Sequence, residues 1–191
     1  MPRSVADNVG KFSQHYPKVA AIVTASARGR DNAMTVAWHS SISMKPPLYG
    51  VSLSPKRFTY QLICESEEFG INFLPLEKVS LSASLGGVSG QQTDKLELLG
   101  IEREQPVKTG APILRDAYAA YECRLVDSKT YGDHIWVVGE IVAVHFLEEA
   151  FTPQETLDLN RVQPLLYMGS DLYASTDERS STVVKRGIQN A

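Results

Sequence analysis

Runs of β-branched and apolar residues broken by turn-forming clusters dominate the first third of the chain. Lys18 to Ser26 (KVAAIVTAS) is rich in valine and isoleucine and ends at the turn-prone Arg28-Gly29-Arg30-Asp31-Asn32, which predicts a hairpin into Ala33 to Trp38. In that second strand Met34, Val36 and Trp38 share one face and Ala33, Thr35 and Ala37 the other, because side chains alternate. Pro46-Pro47 disfavours helix, and Leu48 to Ser54 reads as a third strand. From Arg57 to Glu65 the period changes: Phe58, Leu62 and Ile63 fall on one helical face, with Thr59 placed to cap the start. Phe69 to Leu74 returns to strand character. Glu77 to Leu85 is a short amphipathic helix with Gly86-Gly87 as its stop signal, and Thr93 and Asp94 can cap another through Leu99, ended by Gly100.

Two long strands are predicted in the second half. Tyr118 to Ser128 alternates in the manner of a half-buried strand, and His134 to Phe146 (HIWVVGEIVAVHF) is so continuously apolar that burial on both faces is expected. Lys129 to Asp133 forms the turn between them, with Gly132 as its permissive point. Thr152-Pro153-Gln154-Glu155 has the form of a helix start with Thr152 as cap, and Pro164 to Gly169 gives one short apolar strand. A meander of strands with helices confined to connections makes the fold mainly β, an antiparallel barrel rather than a doubly wound sheet. There is no internal repeat, low-complexity tract or linker, so residues 1–191 are expected to be a single domain.

Composition narrows the function classes. A chain of 191 residues supports one sizeable core, and 43% hydrophobic with 21% charged residues is ordinary for a globular protein. Lys+Arg 19 against Asp+Glu 22 gives a net charge of −3, no general footprint for nucleic acid or an anionic membrane. Cys64 and Cys123 are the only cysteines and form no CxxC pair, which argues against a disulfide framework or a zinc site and fits a reducing cytoplasm. Met1 to Lys11 lacks the apolar run of a signal peptide, and no stretch is apolar for long enough to cross a bilayer. No G-x-S-x-G elbow, H-E-x-x-H pair, P-loop or G-x-G-x-x-G is present. His15, His39, His134 and His145 are scattered without ligand spacing, so no metal is expected.

The richest stretch is Asn32-Ala33-Met34-Thr35-Val36-Ala37-Trp38-His39-Ser40-Ser41, followed by Pro46-Pro47 and Leu48-Tyr49-Gly50-Val51-Ser52-Leu53-Ser54. By itself it describes either a hairpin with Trp38 in the core or a strand pair offering apolar surface and amide partners to a planar ring. The sequence resembles the flavin reductase-like family, the FMN-binding split barrel, through this block and several others. Arg57 and Thr59 open a helix, Glu68-Phe69-Gly70-Ile71-Asn72 forms a strand, and Ser89-Gly90 with Asp94-Lys95 makes a loop. Gly132-Asp133-His134 and Pro164-Leu165-Leu166-Tyr167 complete the pattern. The resemblance covers about residues 15 to 170 and leaves 171–191 as a carboxyl-terminal extension.

The resemblance implies a Greek-key split β-barrel with short peripheral helices that forms a homodimer, with FMN bound near the subunit interface. Asn32, Trp38, Thr59, Lys95, His134 and Tyr167 match positions that the family uses around FMN, and contacts near Ala33, Met34, Thr35, Ser52, Leu53, Ser89 and Gly90 are implied. Thr59 and neighbouring helix amides are expected to meet the FMN phosphate, and Arg57 and Lys95 to supply charge to it or to a nicotinamide nucleotide. Asn32 is expected to bond the polar edge of the flavin, and His134 to contact the flavin or the nicotinamide donor. No side chain is expected to act as acid or base, because the flavin carries the chemistry. The implied activity is an NAD(P)H-dependent flavin reductase. An electron carrier of the flavoredoxin kind, reduced by a redox protein partner, and a flavin-binding protein without turnover are the alternatives.

Overall fold

The computed structural model describes residues 3–11, 16–87, 89–182 and 184, so His15 and most of the final residues of the tail lie outside the described residues. The chain runs β1 (Lys18–Val19), β2 (Ala21–Ala27), β3 (Arg30–Val36), β4 (His39–Met44), β5 (Pro47–Leu53), α1 (Phe58–Ser66) and β6 (Glu68–Phe73). There follow α2 (Val79–Gly87), α3 (Lys95–Leu98), β7 (Arg103–Glu104), β8 (Ile113–Leu114), β9 (Ala119–Tyr131), β10 (His134–Phe146), β11 (Leu166–Gly169) and β12 (Leu172–Ala174). The largest sheet is antiparallel in the order β3-β2-β6-β9-β10-β5-β4. A small sheet, β1-β11-β12, brings residue 18 against residue 167.

The β2–β3 hairpin is tighter than its sequence suggests. Arg28 and Gly29 alone make the turn, both with positive φ (52° and 71°), the backbone a two-residue hairpin loop requires. Asn32 is therefore inside β3, opposite Ala25, rather than at the end of a turn. The expected faces hold within β3: Met34 and Val36 join the core cluster of Val23, Val51, Phe69 and Ile71, while Ala33 joins a second cluster with Ile22, Leu85 and Leu96; Ala37 and Trp38 lie beyond the strand's end, and Trp38 is part-exposed rather than core. β2 thus lies between two cores and is buried on both faces, as are Phe69 to Asn72 of β6.

β10 is not. Its first half alternates buried Ile135, Val137 and Gly139 with part-exposed neighbours, and its second half leaves Val144 and Phe146 more than half exposed. Apolar residues alone could not reveal that this end stays half open among the described residues, with Phe151 meeting Phe146 edge to face. Serine-rich β4 is a strand the periodicity did not predict, formed because its backbone pairs along β5 from His39↔Val51 to Met44↔Pro47.

Helix ends also differ from expectation. Arg57, not Thr59, occupies the N-cap of α1, with no side-chain cap, and Thr59 is buried inside the first turn. The helix stops at Glu67, whose left-handed backbone (φ 56°) lets its amide donate to the Ile63 carbonyl. α2 runs through Gly86-Gly87 rather than ending before them. Asp94 does cap α3, accepting from the amides of Leu96 and Glu97. The predicted helix at Thr152 is instead a turn: the Thr152 hydroxyl accepts from Gln154 and Thr156, Glu155 takes a positive φ, and Phe151 bridges to Leu157. A serine or threonine cap satisfies a turn as well as a helix, and here the chain folds straight back.

Candidate functional site

β3, the start of α1 and the end of α2 with the loop after it converge on a small cavity of about 70 Å³. At roughly 30 Å³ per water molecule, it has room for a tetrahedral oxyanion but not for a flavin ring. Of the predicted residues, Asn32, Met34, Thr35, Arg57, Thr59, Ser89, Gly90 and Lys95 line it.

Its polar groups are held from several elements. Asn32 is buried in β3, and its Nδ2 donates to the Thr59 hydroxyl over 2.7 Å. Its Oδ1 is buried with no hydrogen-bond partner among the described residues. An unsatisfied buried acceptor costs about 1–3 kcal/mol, so a ligand hydroxyl or N–H at this point removes a penalty the protein otherwise carries. Thr35 donates to the Ser82 carbonyl and so ties β3 to α2.

Gly90 is pressed against the same amide: a Cβ there would lie 1.9 Å from Asn32 Oδ1. Arg30, which sequence reasoning missed, holds the loop in place. Its Nη2 donates to the carbonyls of Gly90 and Gln91, each over 3.0 Å, and its guanidinium lies 4.5 Å from the Phe58 ring centre. Nothing in the turn RGRDN marks Arg30 as pointing back over the sheet.

Lys95 is the first residue of α3 and only 2% exposed, and its Nζ donates to the Leu85 carbonyl over 3.0 Å. Burial, and then the nearby Arg57 guanidinium, push its pKa down to about 8. Lys56 and Arg57, both exposed, add charge at the rim, and among the described residues no carboxylate lines the cavity. With no side chain capping α1, its first-turn amides add their share of positive potential. Cations, free helix amides and an orphaned carbonyl oxygen together suit an anion attached to a hydrogen-bond donor, such as a phosphate ester of a polyol.

β3 leads from this cavity to a second, larger one of about 670 Å³, lined by Ala37, Trp38 and Ser52 together with residues of β1, β4, β6 and β10. Thr35 lines the first cavity and Ala37, two residues on, lines the second. The His134 ring packs on Trp38 with centroids 4.9 Å apart, and its Nδ1 lies 2.8 Å from Asp133. The side chains of Ala33 and Leu53 belong to the cores, which leaves their backbone for any ligand. Tyr167 stands opposite Lys18 in the small sheet, against Tyr173, and lines neither cavity. No group of His, Cys, Asp and Glu able to hold a metal occurs among the described residues, and no helix among them is long and apolar enough to cross a membrane.

These features match a known family. Residues 13–176 fit the model of the flavin reductase like domain. An uncharacterized protein of Aeropyrum pernix is 35% identical over 155 residues, covering 81% of this chain, which spans only 58% of that protein's length. The reductase component of the FADH(2)-dependent resorcinol hydroxylase of a Rhizobium species is 28% identical over 92% of this chain and 90% of its own. The FMN-binding protein of Thermus thermophilus, solved with bound 1-cyclohex-2-enone, superposes with a TM-score of 0.84 at 34% identity, covering 97% of this chain and 99% of that one. A protein of Shewanella frigidimarina described as having a split barrel domain shares the fold, with a TM-score of 0.81, at 22% identity over 91% of this chain and 89% of its own. The chain is a mainly β split barrel and belongs to the flavin reductase-like family.

Proposed function

We propose that this protein binds FMN and is an NAD(P)H-dependent flavin reductase. The observation that carries the reading is the buried Asn32 Oδ1 without a partner, set in a cationic cavity of oxyanion size beside a much larger one open to a planar ring. Lys95, Arg57 and the first amides of α1 would hold the phosphate, Asn32 would accept from the ribityl chain or the ring edge, and Thr59 would fix the Asn32 amide. Trp38, Ser52 and His134 would border the ring and the approach of the nicotinamide donor. The flavin itself supplies hydride chemistry, and the chain's part is to bind, orient and control access. The Thermus protein at 34% identity binds FMN, and a relative from Streptomyces nodosus that is 30% identical over 140 residues is an NADH-dependent FMN reductase; both support this reading.

The protein is further proposed to act as a homodimer in the cytoplasm. Met44, Val144 and Phe146 are exposed apolar residues on β4 and the outer half of β10, and a second copy packed on that edge would cover them. The deciding experiment is anaerobic: load the protein with FMN, add NADH or NADPH, and follow the visible flavin band. Rapid bleaching is expected. FMN that binds but is bleached only by dithionite would replace the reductase with an electron carrier or an inert flavin-binding protein, and failure to bind FMN would remove the flavin reading altogether.

A further inference from the structure

Arg30, the first residue of β3, lies beside the smaller cavity but does not line it. Its Nη2 donates to the carbonyls of Gly90 and Gln91, each over 3.0 Å, and its guanidinium lies over the Phe58 ring, 4.5 Å from the centre. A guanidinium fork matches a phosphate well, yet this one, next to a cationic cavity, is turned on backbone oxygens and an aromatic face. The two carbonyls it engages are thereby kept from turning their negative ends toward a bound anion.

The partners of Arg30 belong to two different walls of that cavity. Phe58 opens α1, whose Phe58 and Thr59 line it together with Arg57, while Ser89 and Gly90 line it with Leu85 and Gly86 of α2. Gly90 is buried and seated directly on the Asn32 amide, with no room for a side chain. One side chain therefore joins the start of α1 to the loop that rests on Asn32, around a space of about 70 Å³.

We propose that Arg30 is a positioning residue that clamps these two walls together and so makes FMN a resident prosthetic group rather than a flavin exchanged at each turnover. The inference rests on the reading that the protein binds FMN, and adds to it how fast FMN enters and leaves. A cavity so close in size to a phosphate passes one only as its walls part, and parting them separates Gly90 from Phe58 and breaks the Arg30 contacts. The clamp is closed both with and without ligand, so it slows entry and release alike and leaves the ratio of the two rates almost unchanged. A charge that touched the phosphate itself would act differently, since its loss would slow association and speed release.

The test passes the FMN-loaded protein through a desalting column, then measures FMN association by fluorescence quenching and FMN release by fluorescence recovery on dilution. Wild-type protein is expected to carry its FMN through the column. In Arg30→Met both rates should rise about ten-fold or more while Kd changes by less than about three-fold, and Arg30→Lys, which keeps the charge without the fork, should behave like Arg30→Met. Phe58→Leu should speed both rates in the same sense, which keeps the test open if circular dichroism shows that the Arg30 variants do not fold. Wild-type protein that binds FMN but loses it on the column would overturn the proposal and leave the flavin reading intact, as would unchanged rates in Arg30→Met. Slower association in Arg30→Met, restored by Arg30→Lys, would overturn it by making Arg30 a charge on the phosphate. Failure to bind FMN at all would remove the flavin reading and the clamp together.

Discussion

The amide of Asn32 in β3 donates to the hydroxyl of Thr59 in α1 over 2.7 Å, and this one bond fixes both the strand and the helix that frame the smaller cavity. Thr59→Val keeps the shape and removes the acceptor, leaving a buried amide unsatisfied on both its polar atoms. The folded state should lose about 1–3 kcal/mol, read by urea unfolding, and FMN affinity should fall with it. Unchanged stability together with unchanged FMN binding would show that the bond positions nothing.

Gly90 is held against the same amide, so Gly90→Ala should push the loop away from the sheet and break the Arg30 contacts. Gly90 is buried but Ser89 and Gln91 beside it are exposed, so the loop can give, and unfolding should shift by no more than about 1–3 kcal/mol while FMN binding weakens about ten-fold or more. Circular dichroism and flavin fluorescence quenching separate the two effects.

Lys95 makes FMN binding pH-dependent. Its pKa is pushed down to about 8, below the ordinary 10.5, so the flavin-free protein loses this charge as pH rises through about 8. A bound phosphate favours the charged form, so affinity for FMN should fall above that pH, and Lys95→Met should flatten the profile. For the flavin-free protein the sign is opposite. Between about 8 and 10.5 the unfolded chain holds more protons than the folded one, so stability gains from this residue as pH rises through that window. A wild-type FMN affinity independent of pH from 7 to 9.5 would remove Lys95 from the phosphate.

Glu122 controls stability at the acid end. Burial by itself would raise its pKa, yet the amides of Val107, Lys108 and Thr109, the Thr109 hydroxyl and His145 bond its carboxylate and hold the pKa down to about 2. Its stabilisation is present above about 4.5 and is lost as pH falls toward 2. Glu122→Gln should remove that acid dependence and cost about 2–3 kcal/mol near neutral pH, as expected for bonds to a charged acceptor. Acid titration of the two proteins by circular dichroism compares them directly.

Phe146, at the exposed end of β10, tests the dimer. Phe146→Asp should shift the mass measured by light scattering from two chains to one, since a charge facing an apolar partner surface carries a desolvation cost. A wild-type protein of monomeric mass would end the dimer proposal.

Strand existence was legible because alternation and β-branched runs act locally: β2, β3, β5, β6, β9 and β10 all overlap the predicted runs, although Lys18 to Ser26 is split into β1 and β2 in different sheets, β3 ends at Val36 rather than Trp38, and Lys129 to Tyr131 extend β9 instead of turning. β4 escaped because serines give no pattern, and only pairing along β5 makes it a strand. The smaller cavity was legible at Asn32, Thr59, Gly90 and Lys95 through the resemblance. Arg30 was not, since it acts by reaching back across a turn, which is a property of three-dimensional packing. The same reason explains Thr152, whose local preference for capping was met by a turn instead of a helix.

The pairing of β1 with β11 also sets the two cavities apart. Every described residue lining the smaller cavity lies before residue 96, but Lys18 is held in place by the pairing of its strand with residues 165–167. Removal of the segment from Pro164 onward would therefore spare the lining of the smaller cavity while withdrawing the strand that holds Lys18 and Val19 at the wall of the larger one.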